Sequence, residues 1–496
     1  MPEDYDLDLK SIQEARRLAV ACREAQRQFA NADQATVDRI CAAMTEAAFA
    51  NAERLGRMAQ EETSYGVALH KRVKNEFASR TVWDSIKDVK TVGVIRRDEQ
   101  RKLVEIGWPV GVIAALTPST NPTSTAIYKI LISVKARNGI VIAPHPSAAR
   151  CSAETVRVMA AAGEAAGMPK GLVSCMTHIT LPGSQELIRH YATSLVLATG
   201  GSAMVRAAHS VGKPAIGVGP GNVPVYVDRS ADIAKAASDI VNSKAFDCSV
   251  ICSTEQAVIA DRPIAAQLQA EMEKNGAYWL NEAQKTALAA VLFSPDGVIN
   301  ARSVGQTPQS LARMAGISVP GWARVLVADL AGVGPAHPLS REKLTTVLGF
   351  MVEDGWRAGC ERSIQFLKFG GDGHSMVLHC RDEEIILAYG LEKPAFRIIV
   401  NTWSTMGAIG ASTGVMPAMT LAPGGIGGAV VSDNVTVHHL LNIKRLAYEL
   451  RQPPALARTP APDVHSAQPP LSAAGEISEA AIAAIVRRVL GEIGQS

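Results

Sequence analysis

The sequence predicts an α/β protein made of two doubly wound domains with a β-ribbon flap, and three observations carry that prediction. Short, continuous apolar runs at 110–116, 138–144, 171–176, 194–199, 224–227, 249–253 and 256–260 alternate with Ala-rich stretches of helical period. Strands that lack polar alternation are what a parallel sheet covered on both faces requires. The runs fall into two groups on either side of about Asp228, which places a cleft between two sheets. Ahead of the first run, 91–108 is rich in β-branched residues and split by the polar patch 96–102, the pattern of a two-stranded ribbon.

Taken in order, 9–59 carries apolar residues at helical spacing (Ile12, Ala15, Leu18 and Ala19, then Val37, Ile40 and Met44), so the chain opens on helices. An amphipathic stretch occupies 71–87. The residues from 1 to 228, with the ribbon at 92–108, form the expected cofactor domain, and 229–428 the expected catalytic domain. The charge-free stretch 398–432 is long enough to span a bilayer, but it holds seven Gly together with Pro417 and Pro423. It is therefore expected as buried loop and strand rather than a membrane helix. Residues 429–450 are expected to return to the first domain and, with the ribbon, to make up an oligomerisation flap. Six of the 26 prolines fall between Pro453 and Pro470, which marks 451–475 as an extended linker. Beyond it, Ile477, Ala481, Ile485, Val489 and Ile493 recur every four residues, so 476–496 reads as a short amphipathic helix.

The 496 residues carry 50 Lys+Arg against 47 Asp+Glu, a net charge of +3, with 47% hydrophobic residues. That chain can bury a large core, and its charge gives no footprint for nucleic acid or an anionic membrane. A small-molecule partner is favoured. The eight cysteines lack paired spacing and the first residues, MPEDYDLDLK, lack a secretory pattern, so reduced thiols in the cytoplasm are expected.

The usual nucleotide motifs are absent. Gly217–Val–Gly–Pro–Gly–Asn222 has Asn where a dinucleotide fingerprint has its third Gly, and Gly212–Lys213 is followed by Pro214 where a P-loop has Ser or Thr. Four other strings occur in order: LTPSTNP at 116–122, GVGPGNVP at 217–224, FDCSVICSTEQ at 246–256 and GGDGH at 370–374. Together, over roughly residues 10–450, they resemble the coenzyme-A-dependent, acylating branch of the aldehyde dehydrogenases, including the N-terminal half of bifunctional aldehyde-alcohol dehydrogenase.

The resemblance implies an aldehyde dehydrogenase fold and roles for particular residues. Cys252 matches the nucleophile; its thiolate would attack the aldehyde, helped by a turn into a helix N-terminus. Asn121 matches the side chain that, with the nucleophile's own N–H, holds the oxyanion. His374 matches a histidine able to take a proton from Cys252 or from an incoming thiol; a packing histidine is the alternative. Thr117, Pro118, Gly219 and Gly221 fall in the matched cofactor-side strings. Thr199, Gly200, Gly201 and Ser202 look like the strand-to-helix turn that packs on a pyrophosphate. His145 stands near the expected adenosine ribose, and Glu342 matches a carboxylate reaching the nicotinamide-side ribose. NAD is the implied cofactor, coenzyme A the co-substrate, and no metal is implied. Cys248 is a departure, since Asn is expected there, and Cys248-x-x-x-Cys252 is a weak zinc pattern.

Hydrolytic relatives carry a Glu near 217–224 that activates water, whereas GVGPGNVP has no carboxylate. The acyl thioester would then be resolved by the coenzyme A thiol. The stretch 404–413, with Met406, Ala408, Ile409 and Ala411, is expected to line a pocket for acetaldehyde or propanal; sulfoacetaldehyde is the alternative substrate. The flap implies a homo-oligomer, a dimer or tetramer; the tethered tail resembles encapsulation peptides, which implies an enzyme carried as cargo in a bacterial microcompartment and bound to its shell proteins. Alternatively the tail docks on the enzyme itself, or the protein is an inert assembly factor acting through it.

Overall fold

Asp6 and Asp33 each accept a hydrogen bond from a backbone N–H of the first turn and so start the helices Leu7–Phe29 and Gln34–Ala50. A third helix, Ala52–Thr63, completes the expected helical opening. The computed structural model describes residues 6–454 together with Ala480, Ala483 and Ala484. The chain to Ala447 forms one unit and Tyr448–Ser496 another; the expected tail helix lies almost wholly outside the described residues.

The strands are β1 Gly93–Asp98, β2 Leu103–Pro109, β3 Val112–Thr117, β4 Gly139–Pro144, β5 Val173–Cys175, β6 Thr193–Thr199, β7 Ala215–Val218, β8 Val223–Val227, β9 Glu255–Asp261, β10 Ala277–Trp279, β11 Val325–Asp329, β12 Val347–Glu353, β13 Met376–His379, β14 Ile398–Val400 and β15 Leu441–Ala447. The first parallel sheet has the order β5-β4-β3-β6-β7, and the second the order β10-β11-β12-β9-β8-β13-β14. β3, β4 and β9 are buried at every position, which explains the unbroken apolar runs of β3, of β4 and of the centre of β9, Ala257 to Ala260. One apolar core runs through both sheets, from Ile113, Ile140 and Leu197 to Val225, Val258 and Val327.

The ribbon forms as expected, β1 pairing antiparallel with β2, and β15 adds to its other edge from Leu441↔Pro109 to Ala447↔Leu103. Trp108, Val94, Ile443 and Leu446 remain exposed on this three-stranded sheet.

Three expectations are corrected. Residues 249–253 form no strand: Asp247, Cys248 and Ser249 all have positive φ (48°, 49° and 67°), and the chain turns through Cys252 before entering β9. The run is apolar because Val250 and Ile251 are buried, not because it is extended. Strand β8, placed by sequence in the first domain, hydrogen-bonds to β9 and β13 in the second sheet. Finally, 398–432 is only partly buried, since Ile426 and Val430 are exposed on a loop. Among the described residues no helix is long and apolar enough to cross a membrane.

Candidate active site

The carboxyl ends of β3 and β6 in the first sheet open on the same cavity as the turn that precedes β9. It encloses about 240 Å³, and its walls include Pro118, Asn121, His145, Thr199, Gly200, Gly201, Gly219, Cys252 and Glu342. Nine residues singled out by sequence, scattered from 118 to 342, therefore share one space.

Cys252 reaches the cavity from the turn between Ile251 and Ser253. The chain leads from there into β9 and not into a helix, so the expected helix N-terminus is not there to stabilise a thiolate. Burial instead pushes the Cys252 thiol up to about 12; Glu342 adds to the rise, and Arg397 and Lys74 oppose it. The thiol is the resting form.

Asn121 occupies the cap position of the helix Pro122–Lys135, yet its side chain makes no capping bond. Its Oδ1 accepts from Lys74 Nζ at 2.6 Å, and its Nδ2 donates to Thr120 Oγ1 at 3.2 Å. The amide nitrogen keeps one further hydrogen.

At the end of β6, Gly201 caps the helix Ser202–His209 without a side-chain bond to its first-turn N–H groups. A Cβ on Gly201 would meet nothing within 4 Å. Open space before uncapped donors suits the phosphates of a dinucleotide, so the site fits the expected cofactor. Glu342 Oε1 accepts from Gly221 N–H at 2.9 Å, and burial pushes this carboxyl up to about 8.

Four predicted residues lie off the cavity wall. Thr117 is fully buried at the end of β3, its carbonyl accepting from His145 N–H. Ser202 lines an adjoining groove with Arg206 and Asp372. Gly221 lies behind the wall: a Cβ there would stand 2.4 Å from the Cys252 carbonyl oxygen and 2.9 Å from the His374 ring. His374 and the Cys252 carbonyl thus both border Gly221, but His374 is buried, its Nε2 has no partner, and burial with Arg397 nearby pushes its pKa down to about 3. In this state it is a weak base, contrary to the expectation from an ordinary histidine.

The pocket stretch is corrected as well. Of the four residues named in 404–413 only Ile409 lines the cavity, where Met419, Leu421 and Ile251 are among its other apolar neighbours. Sequence reasoning missed the group beneath it. Lys71 and Lys74, on the helix Ala68–Glu76, are both buried and both pair with Asp247. Two lysines three apart on an amphipathic stretch read as a solvated face, and the sequence carries no signal that sets them apart from one.

The aldehyde dehydrogenase family pattern matches residues 7–281. The chain belongs to the aldehyde dehydrogenase family. Its similarity extends to a solved acetylating aldehyde dehydrogenase of Geobacillus thermoglucosidasius, 49% identical with a TM-score of 0.89, covering 90% of this chain and 99% of that one. It is 41% identical over 423 residues to aldehyde-alcohol dehydrogenase 2 of Entamoeba histolytica, covering 84% of this chain and 49% of that protein. The chain thus spans about half the length of the aldehyde-alcohol dehydrogenases it matches. A propionaldehyde dehydrogenase of Rhodopseudomonas palustris, solved with bound CoA and an acylated cysteine, is 26% identical with a TM-score of 0.79, covering 88% of this chain and 97% of that one.

Proposed function

We propose that this aldehyde dehydrogenase converts a short-chain aldehyde, NAD+ and coenzyme A to acyl-CoA, NADH and a proton. The observation that carries the reading is the cavity itself. Cys252, the Asn121 amide and the uncapped glycine turn face one space in which Glu342 is the sole carboxylate among the lining residues, and Glu342 is tied to the Gly221 amide.

Cys252 Sγ, once deprotonated, forms a bond to the aldehyde carbon, and the carbonyl electron pair moves to oxygen. Asn121 Nδ2 donates to that oxyanion. A dinucleotide held at the glycine turn would supply the acceptor for the hydride on that carbon, the oxidation that would leave the substrate as an acyl thioester of Cys252. Coenzyme A sulfur then attacks the thioester carbon and Cys252 leaves as thiolate. Water is a poor rival because the segment 217–224 carries no carboxylate and the one carboxylate lining the cavity, Glu342, is tied to the Gly221 N–H.

The wall of Ile251, Ile409, Met419 and Leu421 favours an uncharged aldehyde such as acetaldehyde or propanal. No Lys or Arg lines the described cavity to pair with the sulfonate of sulfoacetaldehyde. Steady-state assays of short aldehydes with NAD+, with and without coenzyme A, test this. NADH formation that depends on coenzyme A and vanishes in Cys252→Ala supports the reading. Turnover in that variant, or full turnover to the free acid without coenzyme A, refutes it.

The exposed apolar residues of the β1-β2-β15 sheet support assembly into a homo-oligomer. The Pro-rich 451–475 and the apolar period of 476–496 support cargo targeting to microcompartment shell proteins. Deleting 475–496 should leave kcat unchanged and abolish co-purification with shell protein; loss of activity would instead place the tail on the enzyme.

A further inference from the structure

The Lys74 ammonium lies under the candidate oxyanion site, 2% exposed, on a helix far in sequence from the nucleophile. Its three polar contacts are specific. It donates to Asn121 Oδ1 at 2.6 Å and to the Val250 carbonyl at 3.1 Å, and it pairs with Asp247. Val250 stands two residues before Cys252 and Asp247 begins the left-handed turn that leads to it. One side chain therefore holds both the oxyanion donor and the backbone that presents the nucleophile.

We propose that Lys74 is a positioning residue for the oxyanion site, fixing the Asn121 carboxamide with its oxygen toward the protein and its nitrogen toward the cavity. This rests on the reading of Asn121 as the oxyanion donor.

An ammonium has donors only, so the amide atom it meets must be the oxygen. That removes the flipped orientation, in which Oδ1 would face the developing negative charge. A charge-assisted bond to Oδ1 also draws electron density from the amide, which makes the remaining N–H a stronger donor.

The charge count of the cluster works in the same direction. Lys71, which also donates to the Thr120 carbonyl, and Lys74 share the single carboxylate of Asp247. His70 Nδ1 accepts the Asp247 N–H and burial lowers its pKa, so it is neutral. Burial likewise raises the Cys248 thiol to about 11 and leaves it neutral. Burial lowers Lys74 to about 8, which leaves it mainly charged at neutral pH. Two cations against one anion leave one net positive charge in a low-dielectric region below the forming oxyanion and thiolate.

A double-mutant cycle tests the role, read as the pre-steady-state rate of NADH formation, the KM for aldehyde and the affinity for NAD+. Asn121→Ala should slow the step by about 10²-fold. Lys74→Met should slow it by about 10-fold or more with KM and NAD+ affinity within about 2-fold, and it should cost several-fold less in the Asn121→Ala background than in the wild type, the remainder reporting its hold on the Val250 carbonyl and the Asp247 turn. Lys71→Met, which takes a charge from the same carboxylate without touching Asn121, should cost less than Lys74→Met. Lys74→Gln, which keeps a donor, replaces the Met variant in the cycle if the latter does not unfold cooperatively. Additive losses, a change in KM alone, or equal losses in the two lysine variants overturn the Lys74 role while leaving Asn121 in place. A wild-type rate in Asn121→Ala overturns the oxyanion reading and the Lys74 role with it.

Discussion

Gly221 sets the tolerance of the site at the scale of one residue. Its backbone is not left-handed; the requirement is space, because an added Cβ would stand 2.4 Å from the Cys252 carbonyl oxygen and 2.9 Å from His374 Nδ1. Neither atom lies at the far end of a flexible side chain, so Gly221→Ala must displace the nucleophile's backbone or the buried ring. We predict a loss of stability of about 1–3 kcal/mol and a fall in kcat larger than stability alone explains, measured by denaturant unfolding and steady-state kinetics. Wild-type kcat in that variant would show that the Cys252 backbone can shift without cost. Cys248 is the other informative residue: with φ of 49° it occupies a conformation that favours Gly or Asn, which fits an Asn being expected at that place.

At the scale of the element, the turn through Asp247, Cys248 and Ser249 stores strain, since left-handed residues cost about 1–2 kcal/mol each. It persists because Asp247 is pinned from both sides, accepting from Val67 N at 2.7 Å and pairing with Lys71 and Lys74. Asp247→Asn leaves two buried ammonium groups with no carboxylate. The cost should be about 3–5 kcal/mol, together with loss of NADH formation as the turn relaxes, and the paired readout is a denaturant melt and an activity assay. If stability falls but kcat survives, the turn does not position Cys252.

Across the whole molecule, burial of polar groups sets the response to acid. His374 and His379 are each held near 3 in the folded chain, against an ordinary value of 6.5. Between those values the unfolded chain binds a proton that the folded chain does not, so stability falls as pH drops below about 6.5 and recovers above it. Each histidine should contribute a loss on the order of 2 kcal/mol by pH ~5. Thermal melts across that range test this; His379→Gln should flatten the acid limb, and an unchanged slope would place the acid sensitivity in other groups.

Two parallel sheets, the ribbon and nine of the cavity-lining residues were legible in the amino-acid order alone. Buried parallel strands write themselves as unbroken apolar runs, two of the four ordered strings locate Asn121 and Cys252, and the glycine turn at 199–201 follows the apolar run 194–199. The run 249–253 misleads, because Val250 and Ile251 are apolar for burial in a turn, and composition cannot separate that from a strand. Three-dimensional packing was needed to show that His374 is sealed from solvent, that β8 belongs to the second sheet, and that Lys71 and Lys74 point inward to one carboxylate about 175 residues away in sequence. For β8 the reason is that hydrogen-bond partners across a sheet are not written in one strand's sequence; for His374 and the two lysines it lies in what periodicity can report. Periodicity reports which face of an element is buried, whereas the charge state and role of a buried polar group are set by partners that only the packed chain brings to it.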